Sequence, residues 1–409
     1  MILVEKHIIN DKHKFFKECD SLAFKSKNLY NQALYNIRQH YFENKKYLNY
    51  FENFHVTKKC ESYKLLPAKV SNQTLKLVDQ NFKSFFALLK IEGQFNKIPK
   101  YLDKENGRYL VKFEKQALGL RHFKKTSRIL LSKTNIEIRT KIIDWDLIKE
   151  VRIVPRSNHY VIEVVYEKHE KVLSKTNNVI AAIDPGLNNL ATIAFNNGIT
   201  PLIINGKPLK SINQFYNKKK GEQQSILKKE HNRFNSNKLI KLTNKRNNKI
   251  NDYLHRASRL LVNQLVSNRV GTLVIGKNTG QKQDSNMSKK NNQNFVNIPI
   301  FRFLDMVAYK ARLEGIEVIW QEESYTSKAS FLNLDNIPIH GKVISKPIFS
   351  GKRIKRGLYK TSNGLLINAD VNGSYNILRK AIPRAFSDGI EGLAVNPVLM
   401  NVSSGGIKK

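Results

Sequence analysis

Apolar and polar positions alternate with two different periods along this chain, and the changes of period divide it into regions. Residues 2–9 alternate as a strand does, and a helical spacing starts near Lys14 and returns at 70–89. From about 107 to 168 the two-residue alternation comes back. The first part of the chain is therefore predicted to be a small antiparallel sheet or barrel with a helical insertion.

A different organisation begins at Val179, after a polar, charged stretch from Lys168 to Asn178 that predicts a linker. Three short apolar runs follow, with the turn-forming sequence Asn-Asn-Gly at 196–198 before the third. Helices and strands then alternate as α-β-α-β, and a final helix is predicted with Asn372 near its cap. This order is typical of an RNase H-like domain.

Three acidic residues of this second region stand where a strand end or a helix start could aim them inward. Asp184 ends an apolar run before a Pro-Gly pair, Glu323 follows a second apolar run, and Asp370 precedes the final helix. Hydrolysis of a phosphodiester through two Mg²⁺ ions about 4 Å apart requires hard oxygen ligands from separate elements. We therefore expect the three carboxylates to form one metal-dependent nuclease centre.

Each acid also has a purely structural interpretation. Asp-Pro-Gly is a common turn sequence, Glu323 can end a strand in solvent, and Asp370 can cap a helix. Only the combination of the three favours a catalytic centre.

The charge of the chain points to a polyanionic partner. The 409 residues include 71 Lys and Arg against 33 Asp and Glu, a formal net charge of +38. Residues 207–259 contain 15 basic and 3 acidic side chains, and 342–360 contain seven Lys or Arg. A charge spread over the whole chain suits an extended nucleic acid better than a membrane surface, although either segment could be a merely solvated face.

The sequence contains neither an apolar run of about 18 residues nor a signal-peptide pattern, so we expect a soluble, cytoplasmic prokaryotic protein without a membrane partner. Cys19 and Cys60 are the only cysteines, too few for a disulfide framework.

The sequence resembles the TnpB family of transposon-encoded, RNA-guided nucleases, which are related to compact type V CRISPR effectors. The resemblance is carried by 349–359 leading into 367–378, by 27–31 and 66–71, and by Asp-Pro-Gly at 184–186, so it runs through nearly the whole chain. It implies a multidomain fold combining α+β and α/β parts. The first implied region is a wedge-like β-barrel at 1–13 and 100–175, with a helical recognition insertion at 14–99. The second is an RNase H-like RuvC nuclease domain at 178–395, which includes a basic helical segment at 207–260 and a zinc-ribbon position at 325–365. A flexible tail at 396–409 follows.

The first departure from the family concerns the second RuvC acid, which members commonly carry in a Val-Ile-Glu motif. This chain has Gly276 at that position, and glycine has no side chain to bind a metal. The nearest replacement lies one β-α-β unit later, where Glu323 could reach the same centre from a neighbouring strand end. We expect Glu323 to be the ligand and Glu322 to be its reserve, because successive residues of a strand point to opposite faces.

The second departure concerns the zinc ribbon, which usually holds two Cys-x-x-Cys pairs between the second and third acids. Ser330 and Asn333 stand near the first pair, and no cysteine follows. We expect that no zinc binds and that this segment folds by packing alone.

The resemblance implies an RNA-guided, Mg²⁺-dependent DNA endonuclease that takes its guide RNA from a transposon end and cuts double-stranded DNA beside a short target-adjacent motif. Asp184 and Asp370 would hold two Mg²⁺ ions and Glu323 would complete the shell, leaving products with 5′ phosphates. The expected nucleic-acid contacts are Lys218, Lys219, Lys220, Arg246, Lys249, Arg256, Lys352, Arg353, Lys355 and Arg356.

Other functions remain open at this point. A nuclease-dead, RNA-guided DNA-binding regulator would explain the missing acid at Gly276. A guide-free RNase H-like transposase or resolvase would cut DNA without RNA. A structural RNA-binding protein would explain the charge but not the three acids.

Overall fold

The computed structural model describes residues 1–91, 97–172, 178–278, 298–339, 341, 347–387, 389–403 and 406–408. The chain divides into two units, Met1–His169 and Glu170–Lys409, and each is described separately. The division falls within the predicted linker, of which residues 173–177 lie outside the described part. Within the described residues, no helix is long and apolar enough to cross a membrane.

The first unit contains a four-stranded antiparallel sheet and a separate two-stranded hairpin. Its strands are β1 (Ile2–Ile9), β2 (Val111–Glu114), β3 (Arg128–Leu130), β4 (Glu137–Arg139), β5 (Ile148–Pro155) and β6 (Tyr160–Glu167). The sheet order is β1-β6-β5-β2, and β3 pairs with β4. The antiparallel sheet is therefore confirmed. The described residues form no closed barrel, because four strands are too few to enclose a packed interior.

The helices of this unit lie between β1 and β2 in sequence, except for the last one. They are α1 (Phe16–Asn44), α2 (Tyr50–Thr57), α3 (Glu61–Lys64), α4 (Ala68–Leu89) and α5 (Leu120–Thr126). In α1 the buried residues recur every three or four positions, as at Leu22, Leu29 and Ala33, so one stripe faces the sheet core.

The second unit is built on a seven-stranded sheet of order β11-β10-β7-β8-β9-β15-β16. These strands are β7 (Val179–Pro185), β8 (Asn189–Phe195), β9 (Leu202–Asn205), β10 (Val270–Lys277), β11 (Glu317–Glu322), β15 (Val398–Ser403) and β16 (Gly406–Lys408). Strands β7, β8 and β9 pair in antiparallel fashion, whereas β10 runs parallel to both β7 and β11. A smaller sheet contains β12 (Lys352–Lys355), β13 (Leu358–Lys360) and β14 (Leu366–Asn368).

The helices of the second unit cover both faces of the large sheet. They are α6 (Lys207–His231), α7 (Asn237–Ser267), α8 (Ile300–Leu313) and α9 (Ala369–Ala381). On β7, Ala181 and Ile183 belong to the core shared with α7 and α8, while Ala182 packs against α9. This alternation directs the next residue, Asp184, to the α9 face of the sheet.

The last residues do not form the flexible tail that the sequence analysis expected. Val398 to Met400 pair in parallel with Leu202 to Ile204 of β9, and Met400 is buried. Val398 and Leu399 stay exposed, so backbone pairing with β9 and the burial of Met400 hold this strand.

The segment at the zinc-ribbon position is organised around the carboxylate of Asp335. Oδ2 of Asp335 accepts hydrogen bonds from the backbone N–H of Ser330 at 2.7 Å and of Ser350 at 3.1 Å. The Ser350 hydroxyl donates to Oδ1 at 2.6 Å, and Arg379 donates to the Asp335 backbone carbonyl at 2.6 Å. The expectation that the segment folds by packing alone is wrong, because hydrogen bonds to one carboxylate join its two sides. Lys342 and Lys346, within the expected basic run, lie outside the described residues.

Candidate active site

The three predicted acids come from three different elements of the second unit. Asp184 is the next-to-last residue of β7, Glu323 directly follows β11, and Asp370 lies in the first turn of α9. The pKa of Asp184 is raised well above its usual range, first by burial and then by the charges of Glu323 and Asp370. The three carboxylates therefore lie close enough to share one electrostatic environment.

Asp184 fits its position because the facing residue of α9 is Gly373. A Cβ atom at Gly373 would lie 2.5 Å from Oδ2 of Asp184, closer than any normal contact. Ser374, next to it, donates a hydrogen bond from Oγ to the Ala182 carbonyl at 2.8 Å and fastens α9 to β7. The Gly-Ser pair thus lets the helix approach the carboxylate closely.

Glu323 occupies the space that the missing side chain of Gly276 leaves open. Gly276 pairs with Gln321 across the parallel strands, and Glu323 follows two residues later on the same side. A Cβ atom at Gly276 would lie 2.6 Å from Oε1 of Glu323. The side chain of Glu323 and the glycine at 276 are therefore complementary.

The carboxylate of Glu323 has unmet hydrogen-bonding capacity. Its Oε1 atom is buried and has no hydrogen-bond partner among the residues that the structure describes. Burial, and next the charge of Glu322, raises the pKa of Glu323 from 4.5 to about 7, against the opposing effect of Lys380. A buried acceptor without a donor is costly, and a cation is one partner that would satisfy it.

The reserve residue, Glu322, has a different environment. Its Oε2 accepts a hydrogen bond from Lys380 at 2.8 Å, and its Oε1 accepts from the Ser324 backbone N–H at 2.6 Å. Both oxygens of Glu322 thus have donors, unlike Oε1 of Glu323.

The carboxylate of Asp370 is held by two donors. Arg353, in β12, donates from Nη2 to Oδ1 at 2.8 Å, and Asn189 donates from Nδ2 to Oδ2 at 2.7 Å. The cap of α9 is Asn368, whose side chain accepts from the backbone N–H groups of Asp370 and Val371. The prediction of a cap near Asn372 is wrong, because the helix begins earlier.

Asn372 instead contributes to a buried polar face of α9 that the sequence analysis did not assign. Asn372 accepts from the Phe331 N–H at 2.9 Å and donates to the Ala329 carbonyl at 2.8 Å. Asn376, one turn later, donates to the carbonyls of Ala329 at 2.8 Å and Thr326 at 2.9 Å. These bonds fix the loop that follows Glu323. The i, i+4 spacing of two asparagines beside a Gly-Ser pair was the available signal.

Among the described residues, no three His, Cys, Asp or Glu side chains are arranged to hold a metal ion as they stand. Each carboxylate oxygen of Asp370 already accepts a hydrogen bond, one from Arg353 and one from Asn189. The residues nevertheless fit a hard divalent cation, since all three are carboxylates, one buried oxygen lacks a donor, and two glycines leave room around them.

The predicted nucleic-acid contacts lie in two places, the α6–α7 pair and the β12–β13 hairpin. Several already have partners: Lys219 pairs with Glu222 at 2.8 Å and Arg256 with Asp252 at 2.6 Å. Arg246 donates to Asn213 at 2.8 Å. The exposed members are Lys218, Lys249, Lys352, Arg353, Lys355 and Arg356, while Lys219, Lys220, Arg246 and Arg256 are half-buried.

Two family models match different parts of the chain. The OrfB_IS605 model, described as a probable transposase, matches residues 163–282. The model of the Cas12f1-like TNB domain matches residues 301–377. The first match includes Asp184 and Gly276, and the second includes Glu323 and Asp370.

Solved structures similar to this chain include a Cas12f1-sgRNA-target DNA complex, with 16% identity, a TM-score of 0.51, and coverage of 89% of this chain and 82% of that one. Another is the mini-RNA-guided endonuclease CRISPR-Cas_phi3, with 10% identity, a TM-score of 0.49, and coverage of 97% and 94%. At 16% identity, the likeness to the Cas12f1 complex shows a similar fold only. No curated protein matches the sequence.

The predicted resemblance is therefore confirmed by two family models that follow one another along the chain, at 163–282 and 301–377. Each model covers less than half of the chain, and together they support a likeness to TnpB-like proteins over these residues.

Proposed function

We propose that the protein is an RNA-guided, divalent-cation-dependent DNA endonuclease with a RuvC-type centre formed by Asp184, Glu323 and Asp370. The likeness to these families supports a nuclease role, and the similar Cas12f1 structure is a complex with sgRNA and target DNA. In the second unit β9, β8 and β7 pair in antiparallel fashion and β10 and β11 continue the sheet in parallel beyond β7, an order that supports an RNase H-like domain.

The observation that carries the proposal is the fit between Glu323 and Gly276. A lost catalytic acid would leave position 276 free to hold any small side chain, but here even a Cβ atom would collide with Glu323. The glutamate lies beside the position that the family's acid would occupy, and its Oε1 atom has no partner. This fit supports Glu323 as the relocated second acid.

The three carboxylates would hold Mg²⁺, which when bound would supply a water-derived nucleophile and stabilise the leaving 3′ oxygen. Asp184 and Glu323 sit in a buried setting that raises the pKa of each, so they bind a proton or a cation in preference to standing ionised alone. Arg353 balances the charge of Asp370 and carries an exposed guanidinium that can bind an incoming phosphate.

The nuclease-dead regulator is the second candidate. The ion pair between Arg353 and Asp370 favours it, because a carboxylate neutralised by a permanent partner would not bind metal. A guided cleavage experiment separates the nuclease from the regulator.

The test is cleavage of a plasmid carrying a randomised target-adjacent library by protein co-expressed with its native flanking RNA, with and without Mg²⁺. We expect wild type to cut and Asp184→Asn to bind guide RNA without cutting. Glu317→Gln, on the exposed start of β11, should cut normally and serves as the matched control. Glu322→Gln tests the reserve residue and should also cut.

Three outcomes would contradict the proposal. Guided binding without cutting by wild type would favour the regulator. Cutting that needs no RNA would favour a transposase or resolvase. Loss of cutting in Glu322→Gln but not in Glu323→Gln would move the second ligand to Glu322.

A further inference from the structure

A groove lies between helices α6 and α7, the most basic part of the second unit. Its cavity has a volume of about 260 Å³ and is lined by four residues from each helix. None of these eight residues, all within the described part of the chain, is acidic, and three of them are Lys or Arg. The cavity is smaller than a typical pocket for a drug-sized ligand.

One wall of the groove is aromatic. Phe215 is 60% exposed and lies at the mouth of the cavity. The neighbouring ring of Tyr216 is held in place, since its hydroxyl lies 3.1 Å from Oγ1 of Thr243. The groove thus presents one exposed ring beside one fixed ring.

The other wall is cationic. Lys245 and Lys249 are exposed and lie one turn apart on α7. Between them, the Arg246 guanidinium lies 5.7 Å from the centroid of the Tyr216 ring and donates from Nε to Asn213 at 2.8 Å. The arginine is therefore positioned by the protein, while both lysines extend into solvent.

We propose that this groove binds one unpaired nucleotide of a single-stranded nucleic acid, with the base stacked on Phe215 and the flanking phosphates on Lys245 and Lys249. Stacking on an exposed ring beside a cationic groove is how single strands are held without sequence readout. A purely solvated basic face needs neither a cavity nor an aromatic ring beside it, and this groove has both. The proposal deepens the proposed function, since it assigns a contact for the unpaired part of a guide or a displaced strand.

The choice of occupant follows from charge. The two helices and the turn between them carry 15 basic and 3 acidic residues between 207 and 259, so a second copy of this chain would meet strong like-charge repulsion there. A polyanion with planar, stackable groups satisfies both walls.

The experiment uses the purified full chain without metal or guide, so that neither cleavage nor guide assembly affects it. Twelve-residue strands of RNA or DNA that carry one 5-iodopyrimidine are cross-linked by light, and the modified peptides are mapped by mass spectrometry. Raised salt suppresses purely ionic binding elsewhere on the chain. The matched control for Phe215→Ala is Phe234→Ala, because Phe234 is 71% exposed in the turn between the same helices.

We expect the peptide containing Phe215 to be cross-linked, and Phe215→Ala to lose that product and to bind the strand roughly tenfold more weakly. Phe215→Ala should leave the salt dependence unchanged. Replacing both Lys245 and Lys249 by Gln should reduce the slope of log affinity against log salt by about 1.4. Cross-linking of RNA alone would assign the site to the guide, and of DNA alone to the target.

Three results would overturn the proposal. The first is the absence of a cross-link at the Phe215 peptide with either strand, and the second is an equal loss of strand affinity in Phe215→Ala and Phe234→Ala. The third is a stable dimer that loses its interface in Phe215→Ala, which would make a second copy the occupant. Because the assay needs no metal, a failure of guided cleavage would leave these results interpretable.

Discussion

Two carboxylates of the second unit have opposite relations to their surroundings. Asp335 accepts three hydrogen bonds through its side chain and joins the two sides of the segment where relatives carry a zinc ribbon. Glu323 is buried beside Gly276 with an oxygen that has no donor, in a setting that raises its pKa to about 7.

The difference separates a structural acid from a candidate catalytic one. A carboxylate whose lone pairs are filled by backbone and hydroxyl donors gains stability and has little left for a ligand. A buried carboxylate with an empty acceptor position destabilises the apo protein and gains from a cation. Of these two acids, only Glu323 has an oxygen left without a donor among the described residues.

The largest expected effect comes from removing the charge of Glu323. Glu323→Gln keeps the shape of the side chain and should lower guided cleavage by roughly 10³-fold, because a metal ligand contributes several kcal/mol to the transition state. Guide RNA binding should not change. Single-turnover cleavage and RNA gel shifts measure the two quantities, and cleavage within tenfold of wild type would make Glu323 a structural acid like Asp335.

The next effect comes from filling the space at Gly276. In Gly276→Ala the new Cβ would lie 2.6 Å from Oε1 of Glu323 and 2.8 Å from Cδ1 of Ile377, so we expect about 100-fold slower cleavage together with lower stability. Gly221→Ala is the matched control, because a Cβ at this exposed position of α6 would meet nothing within 4 Å.

A double variant sharpens the same point. Adding Glu323→Ala to Gly276→Ala removes the contact with Oε1 but keeps the contact with Cδ1 of Ile377, so the melting temperature should recover in part while cleavage stays lost. If the single Gly276→Ala variant cuts like wild type, the fit between Gly276 and Glu323 has no functional meaning.

The sequence revealed much of this centre because its signals are local. The apolar runs of β7 and β11, with Asp184 and Glu323 at their ends, were recognisable from composition and turn residues alone. The pairing partner of Gly276 was not, because it depends on the parallel register between β10 and β11. The contacts of Asp335 were missed because they depend on tertiary structure. Its carboxylate accepts a hydrogen bond from the backbone N–H of Ser350, which lies 15 positions away in sequence.

A smaller effect is a pH dependence of stability. The pKa of Glu323 rises from 4.5 in the unfolded chain to about 7 in the folded protein, so the folded state holds the proton more tightly between these values. Stability should therefore fall as pH rises from 5 to 8 in the presence of a chelator, by about 2 kcal/mol more than in Glu323→Gln. Thermal unfolding of both proteins measures this, and millimolar Mg²⁺ at pH 8 should restore the loss. Parallel pH curves for the two proteins would contradict the assignment.

The smallest effect is expected at Asp335. Asp335→Ala removes the acceptor for two backbone N–H groups and one hydroxyl, and should lower the free energy of unfolding by roughly 1–2 kcal/mol. Asn336→Ala, at the exposed neighbouring position, should change it little. Since we expect no zinc in this segment and hydrogen bonds to Asp335 join its two sides, a strong zinc chelator should leave the melting temperature of wild type unchanged. A large chelator effect would mean that the segment depends on a metal, and Asp335 could then no longer be contrasted with Glu323 as a purely structural acid.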